Sequence, residues 1–150
     1  MQMLKNILAL DVATKTGWRT KTSSGTWDLT PRRDESSGMR IIRFKAKLRE
    51  ICELEGINVV CFERPGGIHK SSIMIQSELH GVMKLFCEEN KIDYIAFSSK
   101  EVKKYATGNG NAGKPLMILE AEKRKGSSVV DDNEADAYLI YDYYMSLYEI

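Results

Sequence analysis

Three acidic residues give the first chemical signal. Asp11 closes the apolar run Ile7-Leu8-Ala9-Leu10, and Glu63 closes a second run, Val59-Val60-Cys61-Phe62. Runs of this length read as buried strands. A central strand delivers its last residue to the open edge of a sheet, where ligands bind in α/β folds. If the two strands are neighbours, their terminal carboxylates lie close together and repel unless a cation sits between them. Hard oxygen donors of this kind suit Mg²⁺ or Mn²⁺. Asp136, the third acid, lies between Ala135 and Ala137 and leads into Tyr138-Leu139-Ile140. An unpaired charge is expensive in such surroundings. Asp132, four residues earlier, shares a helix face with Asp136. Capping and the helix dipole already explain acids at Asp131, Asp132 and Glu134, but they do not explain Asp136. Together these acids predict a two-metal phosphoryl-transfer site.

The elements that must position these acids follow from apolar periodicity. The run ending at Asp11 is a strand, and Thr14 to Gly17 is a turn. A hairpin follows over Gly17–Lys21 and Gly25–Leu29, turning at Ser23-Ser24-Gly25, with Trp18 and Trp27 as core or cross-strand anchors. From Ser36 to Glu55, Ile41, Phe44, Leu48, Ile51 and Leu54, with Cys52, recur at helical spacing, and Gly56 supplies the stop. After the strand ending at Glu63, Pro65-Gly66-Gly67 breaks the chain into a loop. Ser71 or Ser72 is placed to cap a long helix to about Asn90. Tyr94 to Phe97 is a further strand, and a short helix runs from Ser99 to about Ala106. The glycine-rich loop Thr107-Gly108-Asn109-Gly110-Asn111 comes next. Pro115 opens a helix to about Lys125, Ser127 to Asp132 is a loop, and a last helix covers about Asn133 to Tyr148. Its inner side is expected to carry Ala135, Leu139, Ile140 and Tyr143. The order βββαβαβααα resembles the RNase H-like arrangement, an α/β fold with a five-stranded mixed sheet flanked by helices on both faces. With no repeat or linker, the 150 residues are expected to form one domain.

Composition narrows the function classes. An apolar fraction of 43% and a charged fraction of 29% are those of a water-soluble globular chain. No stretch approaches the roughly 20 apolar residues of a membrane span. Met1-Gln2-Met3-Leu4-Lys5 lacks a secretory apolar region, so the expected compartment is the cytoplasm. Cys52, Cys61 and Cys87 have no paired spacing and read as buried thiols. With only His69 and His80 present, a histidine-based metal site is not expected. The net charge of +1 conceals basic clusters at Arg32-Arg33, Arg40 to Arg49, Lys100 to Lys104 and Lys123 to Lys125. A basic face beside an acidic pocket suits metal-binding carboxylates next to a phosphate backbone.

Several segments resemble the RuvC family of Holliday-junction resolvases. They are Ile7 to Gly17, Val59 to Glu63, Ser72 to Val82, Val102 to Lys114, and Glu134-Ala135-Asp136-Ala137. The resemblance implies a Mg²⁺-dependent endonuclease, with Mn²⁺ as an alternative ion, that nicks branched DNA, above all four-way junctions. Asp11 would bridge two ions, with Glu63 on one and Asp136 on the other. Lys103 and Lys114 would stand at the scissile phosphate, and the amides of Gly108 to Gly110 would approach the DNA backbone. The helix near 72–90 would form a homodimer interface, and its apolar excess (Ile73, Ile75, Leu79, Val82, Met83, Leu85, Phe86) supports that. The chain is as short as compact phage-encoded members. It departs from the family pattern at two positions. Asn133 stands where the family has a fourth acid, which leaves Asp132 or Asn133 as the fourth ligand. Gly66 stands where bacterial members carry an aromatic wedge, which implies broader cutting of branched DNA. The rival readings are a non-catalytic branched-DNA-binding protein and an RNase H-like nuclease acting on RNA–DNA hybrids. An actin-like ATP-handling protein would need a second domain.

Overall fold

The structure is a computed structural model that describes residues 5–66 and 70–148. The expected loop residue Gly67, together with His69 and residues 1–4 of the N-terminal segment, lies outside the described residues. The elements run β1 (Ile7–Asp11), β2 (Lys15–Arg19), β3 (Ser24–Asp28), α1 (Gly38–Glu55), β4 (Val59–Glu63), α2 (Lys70–Glu89), β5 (Asp93–Phe97), α3 (Ser99–Thr107), α4 (Lys114–Lys125) and α5 (Asp132–Tyr148). This is the expected order of strands and helices, in a single five-stranded sheet ordered β3-β2-β1-β4-β5. β1 pairs in parallel with β4, and β4 with β5, while β2 is antiparallel to both β1 and β3.

Two cores form because β1 and β4 are central and covered on both faces. The first four residues of each strand are buried, as expected of strands with helices on either side. Alternation along the strands then sorts the side chains. Leu8, Leu10, Val60 and Phe62 face α1 and α2, where they meet Phe44, Leu48, Leu79 and Met83. Ile7, Ala9, Val59 and Cys61 face α3, α4 and α5, where they meet Val102, Met117, Leu139 and Ile140. The three cysteines are buried and unpaired, and burial pushes the Cys52 and Cys87 thiols up to about 12. No helix among the described residues is long and apolar enough to cross a membrane.

The hairpin differs from its sequence-based outline. β2 starts two residues earlier than expected, because the first turn is closed within Ala13 to Thr16, where the Thr16 hydroxyl donates to the Ala13 carbonyl at 2.6 Å. The second turn is therefore Thr20 to Ser23, closed by the Thr20 N–H on the Ser23 carbonyl at 2.8 Å. Gly25 is not a turn residue. It pairs with Trp18 inside the ladder, and a Cβ there would lie 3.1 Å from the Trp18 indole nitrogen. The glycine leaves room for Trp18 to stack on Trp27 at 5.8 Å between ring centroids.

Helix faces also need three corrections. Leu54 is 77% exposed, since it lies about 100° round the helix from the buried line of Phe44, Leu48, Ile51 and Cys52. On α5 it is Tyr144 that is buried, with Tyr143 only partly covered. Ser71 and Ser72 fall inside α2, which is described from Lys70, so neither caps it.

α5 is fixed by a buried carboxylate. Glu134 is fully buried and accepts from the Ser24 hydroxyl at 2.6 Å, the Val130 N–H at 2.6 Å and the Lys125 ammonium at 2.9 Å. It ties α5 to β3 and α4, where the sequence suggested only a cap acid. Removing one partner of such a buried group leaves the others unsatisfied. Glu134→Ala is expected to cost about 3–5 kcal/mol in urea unfolding, whereas Leu54→Ser should stay within about 0.5 kcal/mol of the parent.

Candidate metal and phosphate site

Strand direction decides what meets at the site. β1, β3, β4 and β5 run the same way, so their C-terminal ends and the start of β2 share one edge. Asp11 and Glu63 are the last residues of β1 and β4. The register pairs Ala9 with Cys61 and Leu10 with Phe62, and one step further it sets Asp11 beside Glu63. Alternation from Ile7 and Ala9, and from Val59 and Cys61, turns both carboxylates towards the α5 side of the sheet.

α5 brings the remaining acids. Its first turn presses on β2 at Gly17, the residue paired with Asp11. A Cβ on Gly17 would lie 1.8 Å from the Asn133 carbonyl oxygen, so only glycine lets the helix approach this closely. Sequence reading noted Gly17 as part of a motif but missed this role, which no local pattern signals. Asp131 caps the helix, accepting from the Glu134 N–H at 2.9 Å and the Thr26 hydroxyl at 2.7 Å. Asp132 pairs with the Lys114 ammonium at 3.3 Å. The Asn133 amide helps to lower the Asp131 carboxyl.

Electrostatics divides these acids into two kinds. Burial, followed by the charges of Asp136, Glu63, Asp132 and Asp131, holds the Asp11 carboxyl well above its ordinary value. Burial, with Glu63 and Asp132, raises Asp136 to about 7, while Lys103 and Lys114 partly offset the effect. Burial also works against Glu134 and Asp131, but their hydrogen bonds outweigh it and leave both lowered. Anchoring acids thus have donors, whereas no described residue donates a hydrogen bond or forms an ion pair to Asp11 or Asp136. Among the described residues, no three potential ligands are gathered tightly enough to hold an ion as they stand. The acids share an edge and repel across it.

Both lysines are in place. A cavity is lined by Glu63, Asp136, Lys103, Lys114 and Ser99, and a second, lined by Asp11, Glu63, Gln76, His80 and Ser99, adjoins it through Glu63. Lys103 projects from α3, which the Ser98 hydroxyl caps by accepting from the Glu101 N–H at 3.1 Å. The loop after α3 folds back over Lys100: a Cβ on Gly110 would meet the Lys100 Cγ at 2.9 Å. That return carries Lys114 to the edge. The β3–α1 loop with Arg32 and Arg33 also leaves from this edge. It is braced by Glu35, which accepts the Arg32 N–H at 2.6 Å and pairs with Arg43.

Sheet order and the flanking helices are those of an RNase H-like fold. No family model matches the chain. The crossover junction endodeoxyribonuclease RuvC of Brachyspira hyodysenteriae is 38% identical over 71 residues, which are 47% of this chain and 44% of that protein. The match therefore spans less than half of that relative. Among solved structures, Thermus thermophilus RuvC in complex with Holliday junction substrate superposes with a TM-score of 0.77 at 16% identity, covering 96% of each chain. A second Thermus thermophilus RuvC structure gives 0.70 at 17% identity, covering 95% of this chain and 96% of that one. The yeast mitochondrial Holliday junction resolvase Ydc2 gives 0.68 at 12% identity, covering 94% of this chain and 78% of that one. The chain resembles RuvC resolvases in sequence over that segment and in fold over nearly its whole length.

Two outcomes test this geometry. Because Asp136 holds its proton up to about 7 in the folded chain but ionises near 4 when unfolded, the folded state binds more protons between these values. Stability of the metal-free protein should therefore fall as pH rises from about 4 to about 7. Asp136→Asn should flatten that slope and raise Tm at pH 7.5 by roughly 2–8 °C, for relief of about 1–2 kcal/mol, as read by calorimetry in EDTA. Gly17→Ala, forced against the Asn133 backbone, should cost about 1–3 kcal/mol in denaturant titration.

Proposed function

We propose that this chain is a divalent-metal-dependent endonuclease that nicks branched DNA and resolves four-way junctions as a cytoplasmic homodimer. The observation that carries the reading is the gathering of Asp11, Glu63, Asp132 and Asp136 at one sheet edge, with Lys103 and Lys114 beside them. The donor set is all carboxylate oxygen, and two of its members are held raised with no hydrogen-bonding partner among the described residues. A hard divalent cation such as Mg²⁺, or Mn²⁺ in its place, relieves that repulsion. Asp11, Glu63 and Asp136 would hold the ions. Asp132 is favoured over Asn133 as the fourth ligand, because its charge reaches both Asp11 and Asp136. When bound, the ions supply charge stabilisation at the phosphodiester and a lowered pKa for the attacking water.

The chain's own groups do the rest. Lys103 and Lys114 place positive charge where the phosphate gains negative charge. Lys114 is 79% exposed and its contact with Asp132 is a weak surface pair, so its ammonium is free to turn to DNA. Gly108 to Gly110 let backbone amides approach a phosphate, and Arg32 and Arg33 extend the basic track along the same edge. On α2, Ile73, Met74 and Leu85 remain exposed after the inner face has packed on the sheet, Met74 by 57% and Leu85 by 58%. A two-fold contact through this face would set two sites on opposite strands of a junction.

The test is cleavage of labelled four-way junction, fork, linear duplex and RNA–DNA hybrid with Mg²⁺, beside Asp11→Asn. Paired symmetrical nicks in the junction, reduced to background in the variant, are expected. Preferential cutting of the hybrid, or undiminished cutting by Asp11→Asn, contradicts the proposal. Met74→Glu with Leu85→Arg should give a monomer in light scattering and end paired nicking.

A further inference from the structure

The inner face of α2 reaches the site through two side chains that no metal ligand set includes. His80 is buried at 4% exposure. Its Nδ1 lies 2.7 Å from the Gln76 carbonyl one turn earlier, and its Nε2 lies 3.2 Å from the Glu63 carbonyl. The ring is edge-on to Phe62, 5.3 Å between centroids, which fixes its plane. The Gln76 side chain accepts the Gly66 N–H at 3.0 Å. One helical turn thus holds the end of β4 at two backbone points, on either side of Arg64 and Pro65. From the other direction the Arg64 N–H is held by the Phe97 carbonyl at 2.8 Å. Glu63 sits at the start of this clamped segment, with its carboxylate in the cavities shared with Asp11 and Asp136.

We propose that His80 is a positioning residue for Glu63: with the ring proton on Nε2 it donates to the Glu63 carbonyl, fixes the peptide at the end of β4 and so aims the Glu63 carboxylate at the metal site. The proposal rests on the metal-site reading above. The physical argument is one of freedom lost. Glu63 ends its strand: the N–H of the following peptide is still held by the Phe97 carbonyl of β5, and its carbonyl faces His80 on α2. A ring wedged against Phe62, with its proton on Nε2, removes that freedom before any ion arrives. Groups that orient a ligand in this way typically change metal affinity 10–100-fold when removed.

Two near-isosteres separate the contacts. A glutamine amide nitrogen stands as many bonds from Cα as Nε2 does, and an asparagine amide nitrogen as many as Nδ1. His80→Gln keeps a donor for Glu63, and His80→Asn offers one only toward Gln76. The measurement is the midpoint of the Tm rise as Mg²⁺, then Mn²⁺, is titrated into each purified protein. The metal-free Tm of each reads the purely structural cost. His80→Asn should shift the midpoint about tenfold upward and His80→Gln less than threefold, at similar metal-free Tm. Equal shifts in both variants, or none in either, overturn the role of His80. If His80→Asn does not fold, Gln76→Met tests the same clamp: a shift of about threefold supports it, and an unchanged midpoint overturns it. A parent protein whose Tm does not respond to either ion sinks the metal-site reading itself and this inference with it.

Discussion

Carboxylates at one end of a sheet, close enough to raise one another's pKa, are the constraint around which the rest is arranged. Asp11 and Asp136 would relax apart or lose their burial unless other parts of the chain held them. The holding is done by packing. The strands bearing Asp11 and Glu63 are buried on both faces, and α5 is pinned by a fully buried Glu134 with three donors. Gly17 lets the helix backbone touch β2. Apolar burial on two faces of one sheet supplies the free energy that opposes the repulsion. The site is stable only as part of the whole.

The acids at the start of α5 show how sharply partners decide chemistry. Asp131 and Glu134 are lowered because hydroxyls, amides and an ammonium point at them. Asp136, two residues beyond Glu134, is raised because it is buried and then because it faces Glu63 and Asp132, an effect that Lys103 and Lys114 only partly offset. Anchoring and site acids alternate along a single helix turn, because successive side chains are about 100° apart and face different neighbours. Acids raised by burial and like charge, beside lysines in a cleft, mark a candidate functional site by a physical criterion independent of any resemblance.

Likeness to known proteins is uneven in a way that fits this reading. Sequence identity with the Brachyspira RuvC is concentrated in 71 residues, whereas the backbone follows Thermus thermophilus RuvC over 96% of the chain at 16% identity. Apolar side chains exchange freely when volume and patterning are kept. What the fold must preserve is strand order, register and the approach of α5, and these rest on few residues.

Much of this was legible in the sequence. The order of strands and helices, the strand-end positions of Asp11 and Glu63, and the helix face shared by Asp132 and Asp136 follow from periodicity and chain direction, which are local properties of the polymer. Gly25 looks like a turn residue in the sequence, and only its pairing with Trp18 shows that it makes room in a ladder. Leu54 recurs at helical spacing, but spacing alone does not show how far round the helix the covered face extends. Contacts between distant segments lay beyond local reading altogether: Gly17 against Asn133, Glu134 among Ser24, Val130 and Lys125, and His80 against Glu63. Each joins groups whose proximity is fixed by how layers pack in three dimensions. The amino-acid order therefore determined which groups were available for chemistry and on which elements they ride. Tertiary packing alone decided which acids received donors and which were left facing one another.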